Sequence, residues 1–130
     1  MKLNGILNSD ISKALSDMGH TDLIAIGDLG LPIDPEKKID IALKRKSPSF
    51  KEVLEELLKD FSAEKYYLAS EIKTENPMQH ENIKYLLDEV EVEYMTHEQF
   101  KEKLKDVKYV IRTGEDTPYS NIILQSKNLF

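Results

Sequence analysis

Apolar residues along this chain recur at two spacings, and the changes between them mark out the elements. Ile11, Ala14, Leu15 and Met18 repeat at helical intervals behind a cap at Asn8 or Ser9. Gly19 suits the left-handed position that closes such a helix. Asp22 to Gly27 is a short apolar run without alternation, as expected of a strand covered on both faces. Pro32 and Pro35 then forbid a regular helix or central strand, so the chain must turn, with Gly30 free to take a positive φ. Ile39 to Leu43 predicts a second short strand.

A loop through Ser47, Pro48 and Ser49 leads to the clearest helical stripe, formed by Phe50, Val53, Leu54, Leu57, Leu58 and Phe61. Ser49, with Glu52 three residues on, reads as a capping box, and the stripe reads as core. Tyr66 to Ser70 predicts a third strand. Asn76-Pro77-Met78-Gln79 is a helix start with proline at the first position, and Ile83, Leu86, Leu87 and Val90 form that helix's inner face. Val90 to Met95 nearly alternates, so it predicts a strand with one wetter side. Thr96-His97-Glu98-Gln99 is another capping box, and Phe100 and Leu104 carry its helix inward. Val107 to Arg112 and Asn121 to Gln125 are the last two strands, joined by a loop. The order α-β-β-α-β-α-β-α-β-β predicts an α/β fold. It is one layered domain over residues 1–130, with a largely parallel sheet flanked by helices.

Composition narrows what such a domain can do. With 130 residues the chain can bury a real core, and with no cysteine it has no disulfide, thiolate metal site or cysteine nucleophile. The formal net charge of −6 argues against nucleic acid as a partner, since phosphate contacts need clustered lysine and arginine. Lys44-Arg45-Lys46 is too short to change that and reads as a solvated loop. No apolar run approaches the ~20 residues of a membrane span. Met1-Lys2-Leu3-Asn4-Gly5 shows no signal-peptide pattern, so the expected location is the cytoplasm. The three histidines lack a metal-ligand spacing, and the chain contains no P-loop, G-x-S-x-G or G-x-G-x-x-G motif.

The remaining chemistry stands at element ends, where α/β proteins build sites. His20 follows a helix C-terminus, whose partial negative charge favours an imidazolium; it is either a proton donor or a residue that bonds the last carbonyls. Asp28 lies between an apolar strand and a glycine-proline turn, and is either a turn-former or an acceptor for a ligand hydroxyl. His97 and Lys101 are four apart on one helix and share a face. Tyr119 and Asn121 are two apart, so an extended backbone would point both the same way, a phenol and an amide suited to a polyol. His80 reads as a solvated helix residue without a role. Together these groups suggest acid–base chemistry on a sugar, without metal or cofactor.

The same positions resemble the ribose pyranase / fucose mutarotase family. The likeness runs through Leu7-Asn8-Ser9, Gly19-His20-Thr21-Asp22, Asp28-x-Gly-Leu-Pro, Ile39-Asp40, Pro48-Ser49-Phe50 and Glu71-Ile72-Lys73. It continues through Thr96-His97-Glu98-x-Phe100-Lys101 and Ile111-Arg112-Thr113-Gly114-Glu115-x-Thr117-Pro118-Tyr119-x-Asn121, almost end to end. The resemblance implies a cytoplasmic, cofactor-free and metal-free isomerase that interconverts the β-pyranose and β-furanose forms of D-ribose. It implies a ring-like homo-oligomer, a decamer. By position, His20 would donate the proton, while Asp28, His97, Lys101, Tyr119 and Asn121 would hold the sugar. Leu29 and Ser120 stand where the family usually has alanine, beside contact positions, which bears on sugar preference. The alternatives are a mutarotase acting on L-fucose or another monosaccharide, and a sugar-binding module without catalysis.

One geometric expectation follows from the strand between His20 and Asp28. Six extended residues span about 20 Å. The two groups therefore flank opposite ends of the sheet and cannot touch one pentose, so the site is expected to be completed across a subunit contact.

Overall fold

The computed structural model describes residues 1–130. The elements are α1 (Ser9–Asp17), β1 (Leu23–Gly27), β2 (Lys38–Asp40), α2 (Phe50–Asp60), β3 (Ala63–Ala69), α3 (Ile72–Glu75) and α4 (Pro77–Leu86). They continue with β4 (Glu91–Met95), α5 (His97–Lys103), a 3-10 turn (Leu104–Asp106), β5 (Tyr109–Arg112) and β6 (Ile122–Ser126). The strands form one sheet in the order β2-β5-β1-β6-β3-β4. β1, β5 and β2 pair in parallel, as do β3 and β4, while β6 runs antiparallel to both its neighbours. All strands except β6 therefore point the same way. Their C-terminal ends, together with the N-terminal end of β6, make one edge of the sheet.

Both sheet faces are covered, which explains the unbroken apolar run of β1. Ile24 and Ile26 pack with Ile11 and Ala14 of α1, Val53, Leu54 and Leu57 of α2, and Ile83 of α4. Leu23 and Ala25 face the other way, against Phe100, Leu104 and Val107. Each fully buried aliphatic or aromatic side chain contributes roughly 1.5–3 kcal/mol. The side chains of Asn8, Ser49, Asn76 and Thr96 each accept a backbone N–H in the first turn of the helix that follows, and Thr96 and Gln99 form the full reciprocal box.

The structure corrects several local expectations. The second strand is shorter than predicted, Lys38–Asp40. Ser49 Oγ accepts the Glu52 N–H at 3.1 Å, but the Glu52 side chain returns no bond to the Ser49 N–H; the neighbouring Phe50 N–H donates to Glu115 Oε1 at 3.0 Å. α1 closes through Met18 in an extended conformation, and the left-handed residue of the following turn is Thr21 (φ 72°), not Gly19. Gly30 likewise keeps an ordinary φ. His80 is half-buried, with Nε2 2.7 Å from the Tyr94 hydroxyl. Burial and the charges of Lys84 and Lys73 push its imidazole below the usual range. Gly114 has a steric reason: a Cβ there would lie 2.5 Å from the Ser47 carbonyl oxygen and collide with that of Lys44. No helix is long and apolar enough to cross a membrane.

Candidate active site

The C-terminal edge of the sheet gathers side chains that are far apart in sequence. Asp28 follows β1, His97 follows β4, and Asn121 precedes β6. Across that edge, the Asp28 N–H donates to Asn121 Oδ1 at 2.8 Å, and Asn121 Nδ2 donates to Asp28 Oδ2 at 3.3 Å. The Gly30 N–H donates to Asp28 Oδ1 at 3.0 Å. Asp28 thus forms the turn and also presents a half-buried carboxylate. Burial pushes its carboxyl above the ordinary range, and the bonds from Gly30, Asn121 and Leu31, with the His97 charge, offset this only in part. Gly27 precedes it because a Cβ there would stand 2.7 Å from Leu31 Cδ2 and 3.3 Å from Asn121 Oδ1.

His97 is fixed from several sides. Its backbone N–H lies 3.0 Å from each oxygen of the Glu71 carboxylate, which sits at the start of α5. Burial pushes the Glu71 carboxyl up, but the His97 N–H, its own N–H, the Ser70 hydroxyl and the His97 charge together hold it below the usual range. The imidazole stacks on Phe100 and meets Tyr119 edge-on, with ring centroids 5.2 Å apart. Its Nδ1 is buried and has no hydrogen-bond partner.

Asp28, His97, Tyr119 and Asn121 line one cavity of about 300 Å³, walled also by Pro32 and Pro118. That volume lies at the small end of ligand pockets and suits a monosaccharide. Tyr119 reaches it by a different route than expected: its backbone is left-handed (φ 56°), in a turn rather than an extended strand. Lys101 lines a separate, adjoining cavity of about 340 Å³ that shares Pro32, and its Nζ is 2.8 Å from Glu98 Oε1. Four of the five expected sugar-holding residues are therefore together, and Lys101 stands one wall away. The Ser120 hydroxyl is turned into the protein, bonded to Asn76, Gln79 and Thr117, and neither Ser120 nor Leu29 lines the cavity.

His20 lies at the opposite edge, ahead of β1, in another cavity with Met18, Phe61 and Phe130. The five residues of β1 separate it from Asp28 by about 16 Å along the strand. Its ring does not bond the end of α1, whose Asp17 carbonyl accepts from Lys108 Nζ at 2.8 Å. Instead Nε2 donates to Glu64 Oε2 at 3.2 Å, because a carboxylate only accepts. The other Glu64 oxygen accepts from the Gln125 amide at 2.8 Å. Gln125, ahead of the His20 ring, holds the Glu64 carboxyl below its usual range against the effect of burial. No group of three His, Cys, Asp or Glu side chains stands close enough to hold a metal ion.

The profile of the RbsD / FucU transport protein family matches residues 1–127. The chain belongs to the RbsD / FucU family. A D-ribose pyranase from Lactobacillus gasseri is 51% identical over 127 residues, 97% of each chain, and one from Streptococcus uberis is 56% identical over 128 residues, again 97% of each. The structure of Bacillus subtilis RbsD complexed with D-ribose superposes with a TM-score of 0.95 and 47% identity, covering 100% of both chains. A fucose mutarotase from Streptococcus pneumoniae, in complex with L-fucose, superposes at 0.81 and 20% identity over 95% of each chain, a likeness of fold.

Read alone, the sequence assigns some residues that shape this site no part in it. Glu71 and Glu115 stand only in the stretches that carry the resemblance, and Asn76 reads only as a helix start. They acquire roles only through partners distant in sequence, such as the 65 residues between Phe50 and Glu115.

Proposed function

We propose that this chain is an isomerase that interconverts the β-pyranose and β-furanose forms of D-ribose. The full-length likeness to D-ribose pyranases carries the reading. The monosaccharide-sized cavity of Asp28, His97, Tyr119 and Asn121 supports it.

Ring opening takes a proton from the anomeric hydroxyl while the bond from C1 to the ring oxygen breaks, its electron pair going to that oxygen, which is protonated. Closure reverses these steps with a different sugar hydroxyl attacking C1. Only protons and one C–O bond change, so positioned acids and bases suffice. In this reading Asp28 accepts from sugar hydroxyls, and the Asn121 Nδ2 proton not given to Asp28 donates to one. Tyr119 and His97 wall the ring. Lys101 contributes from the adjoining cavity once its side chain leaves Glu98.

His20 carries the proton. Glu64 holds its Nε2–H, which leaves Nδ1 with a lone pair to take the anomeric proton and return it to the ring oxygen, the logic of a carboxylate-oriented imidazole. Since His20 and Asp28 flank opposite ends of β1, His20 comes from a second copy. The assembly is a homo-oligomer, a decamer in this reading, working in the cytoplasm on free D-ribose.

The test is NMR saturation transfer between anomeric signals, with D-ribose and L-fucose side by side. Transfer between ribose pyranose and furanose signals at catalytic protein concentration is expected, and His20→Ala should abolish it while ribose still binds. Exchange confined to L-fucose, or ribose binding without faster exchange, would overturn the reading. Wild-type exchange in His20→Ala would remove His20 from its role.

A further inference from the structure

We propose that Glu115 is the positioning residue of the sugar cavity, a buried carboxylate that ties together the two turns from which the cavity is built. The proposal rests on the sugar-site reading above. Glu115 is 8% exposed and touches no ligand-facing surface of its own. Its backbone carbonyl accepts the Leu29 N–H at 3.0 Å, which anchors the turn carrying Asp28. Its carboxylate anchors the turn carrying Tyr119: Oε2 accepts the Thr117 hydroxyl at 2.7 Å and the Thr117 N–H at 3.3 Å. The remaining oxygen, Oε1, takes the Phe50 N–H at the start of α2.

The charge of Glu115 sets the direction of the bonds beyond it. Thr117 has a single hydroxyl proton, and the carboxylate takes it. In the 2.8 Å contact between Thr117 Oγ1 and Ser120 Oγ, Ser120 must therefore donate. The Ser120 oxygen then accepts from Asn76 Nδ2 and Gln79 Nε2, each at 3.2 Å. Asn76 Nδ2 also donates to the Pro118 carbonyl at 2.8 Å. These bonds enclose the turn in which Tyr119 holds a left-handed φ of 56°, a conformation that a bulky non-glycine residue adopts only when its surroundings enforce it. Asn121 follows two residues later, and its own N–H donates to the Tyr119 carbonyl at 2.9 Å.

A merely structural carboxylate would do no more than cap α2. That helix already has the Ser49 hydroxyl, which accepts the Glu52 N–H at 3.1 Å. Ser49 makes its hydrogen bonds within α2 and none to either turn, so the two roles separate by mutation.

Ribose exchange rates against ribose concentration should be measured for Glu115→Gln, Thr117→Val and Ser49→Ala, with Tyr119→Ala and Asn121→Ala as site controls and Tm recorded for each. Thr117→Val keeps the side-chain shape and leaves the Phe50 bond intact. It and Glu115→Gln are expected to raise KM for ribose about tenfold, the equivalent of one lost or misplaced polar contact, with kcat within about twofold. Ser49→Ala should lower Tm and leave KM unchanged. If Thr117→Val leaves KM at the wild-type value while Tyr119→Ala raises it, Glu115 is only a helix cap and the proposal fails, with the sugar site intact. If Tyr119→Ala and Asn121→Ala both leave KM unchanged, the sugar-site reading fails and takes this proposal with it. Thr117→Val remains decisive should Glu115→Gln not fold.

Discussion

Replacing Asn121 by aspartate changes one atom group at the most constrained point of the cavity. Asn121 is 1% exposed, and its Nδ2 lies 3.3 Å from Asp28 Oδ2. In Asn121→Asp the shape is kept, and the bond from the Asp28 N–H to Oδ1 survives. The donor facing Asp28 becomes a second carboxylate oxygen. Two unit charges at that separation repel by about 5 kcal/mol at the effective dielectric of such sites, which corresponds to about 3–4 pKa units. Burial already pushes the Asp28 carboxyl up from 3.8. The pair will therefore titrate in two steps, the upper one well above the ordinary carboxylate range.

The singly protonated pair has the charge and the internal hydrogen bond of the wild-type site. At pH 6 the variant should bind ribose nearly as the wild type does. Above the upper step its apparent affinity should fall about tenfold per pH unit, while the wild-type profile stays flat. Ribose titration followed by NMR line shapes between pH 5 and 9, with the two carboxyl carbons observed directly, reads both effects. A variant that binds ribose as well at pH 9 as at pH 6, or whose carboxyls both titrate below pH 5, would refute the described contact.

Three further outcomes follow from the same geometry. Leu54 is fully buried between α2 and the sheet, so Leu54→Ala should cost about 2–5 kcal/mol, lowering Tm by roughly 7–18 °C at fixed protein concentration; a change under two degrees would contradict its place in the core. Folding favours protonated Asp28, so its contribution to stability is present in acid and lost as pH rises through its raised value, whereas ribose binding, which needs the carboxylate, weakens as pH falls through that same window. An Asp28 carboxyl that titrates below 3.8 in NMR would reverse the stability sign and move the loss of binding to lower pH. Glu71 has the opposite sign, with stability present above its ordinary value of 4.5 and lost on acidification, so Glu71→Gln should remove about 1 kcal/mol at pH 7 and little at pH 3 in chemical denaturation; an equal loss at both pH values would count against the carboxylate bond to the His97 N–H.

Much of this arrangement is legible in the amino-acid sequence. The apolar run of β1 showed a strand covered on both faces, and Ile24 and Ala25 do face opposite cores. The four polar caps were readable because capping is local, acting within three or four residues. The strand between His20 and Asp28 already separated those two groups by its length alone. The direction of β6 was hidden, because an apolar run has no sense of direction; pairings such as Ile26 with Ile122 decide it. The partner of the Phe50 N–H was hidden too, because Glu115 lies 65 positions further along and no local spacing points to it. Tyr119 lines a cavity with Asn121, but not by the extended backbone that the two-residue spacing suggests. Its left-handed φ depends on a network drawn from α4 and the Glu115 loop, which spacing along the chain cannot express.

In the proposed reaction the imidazole of one copy acts on a sugar held by the Asp28 cavity of another. Co-refolding equal amounts of His20→Ala and Asp28→Ala chains tests it, each inactive alone in ribose saturation transfer. Sites shared between copies that mix at random should regain about a quarter of wild-type exchange, since a site works only when its cavity and its histidine come from complementary chains. Exchange that stays at zero in the mixed oligomer would place both groups in one chain and contradict the account.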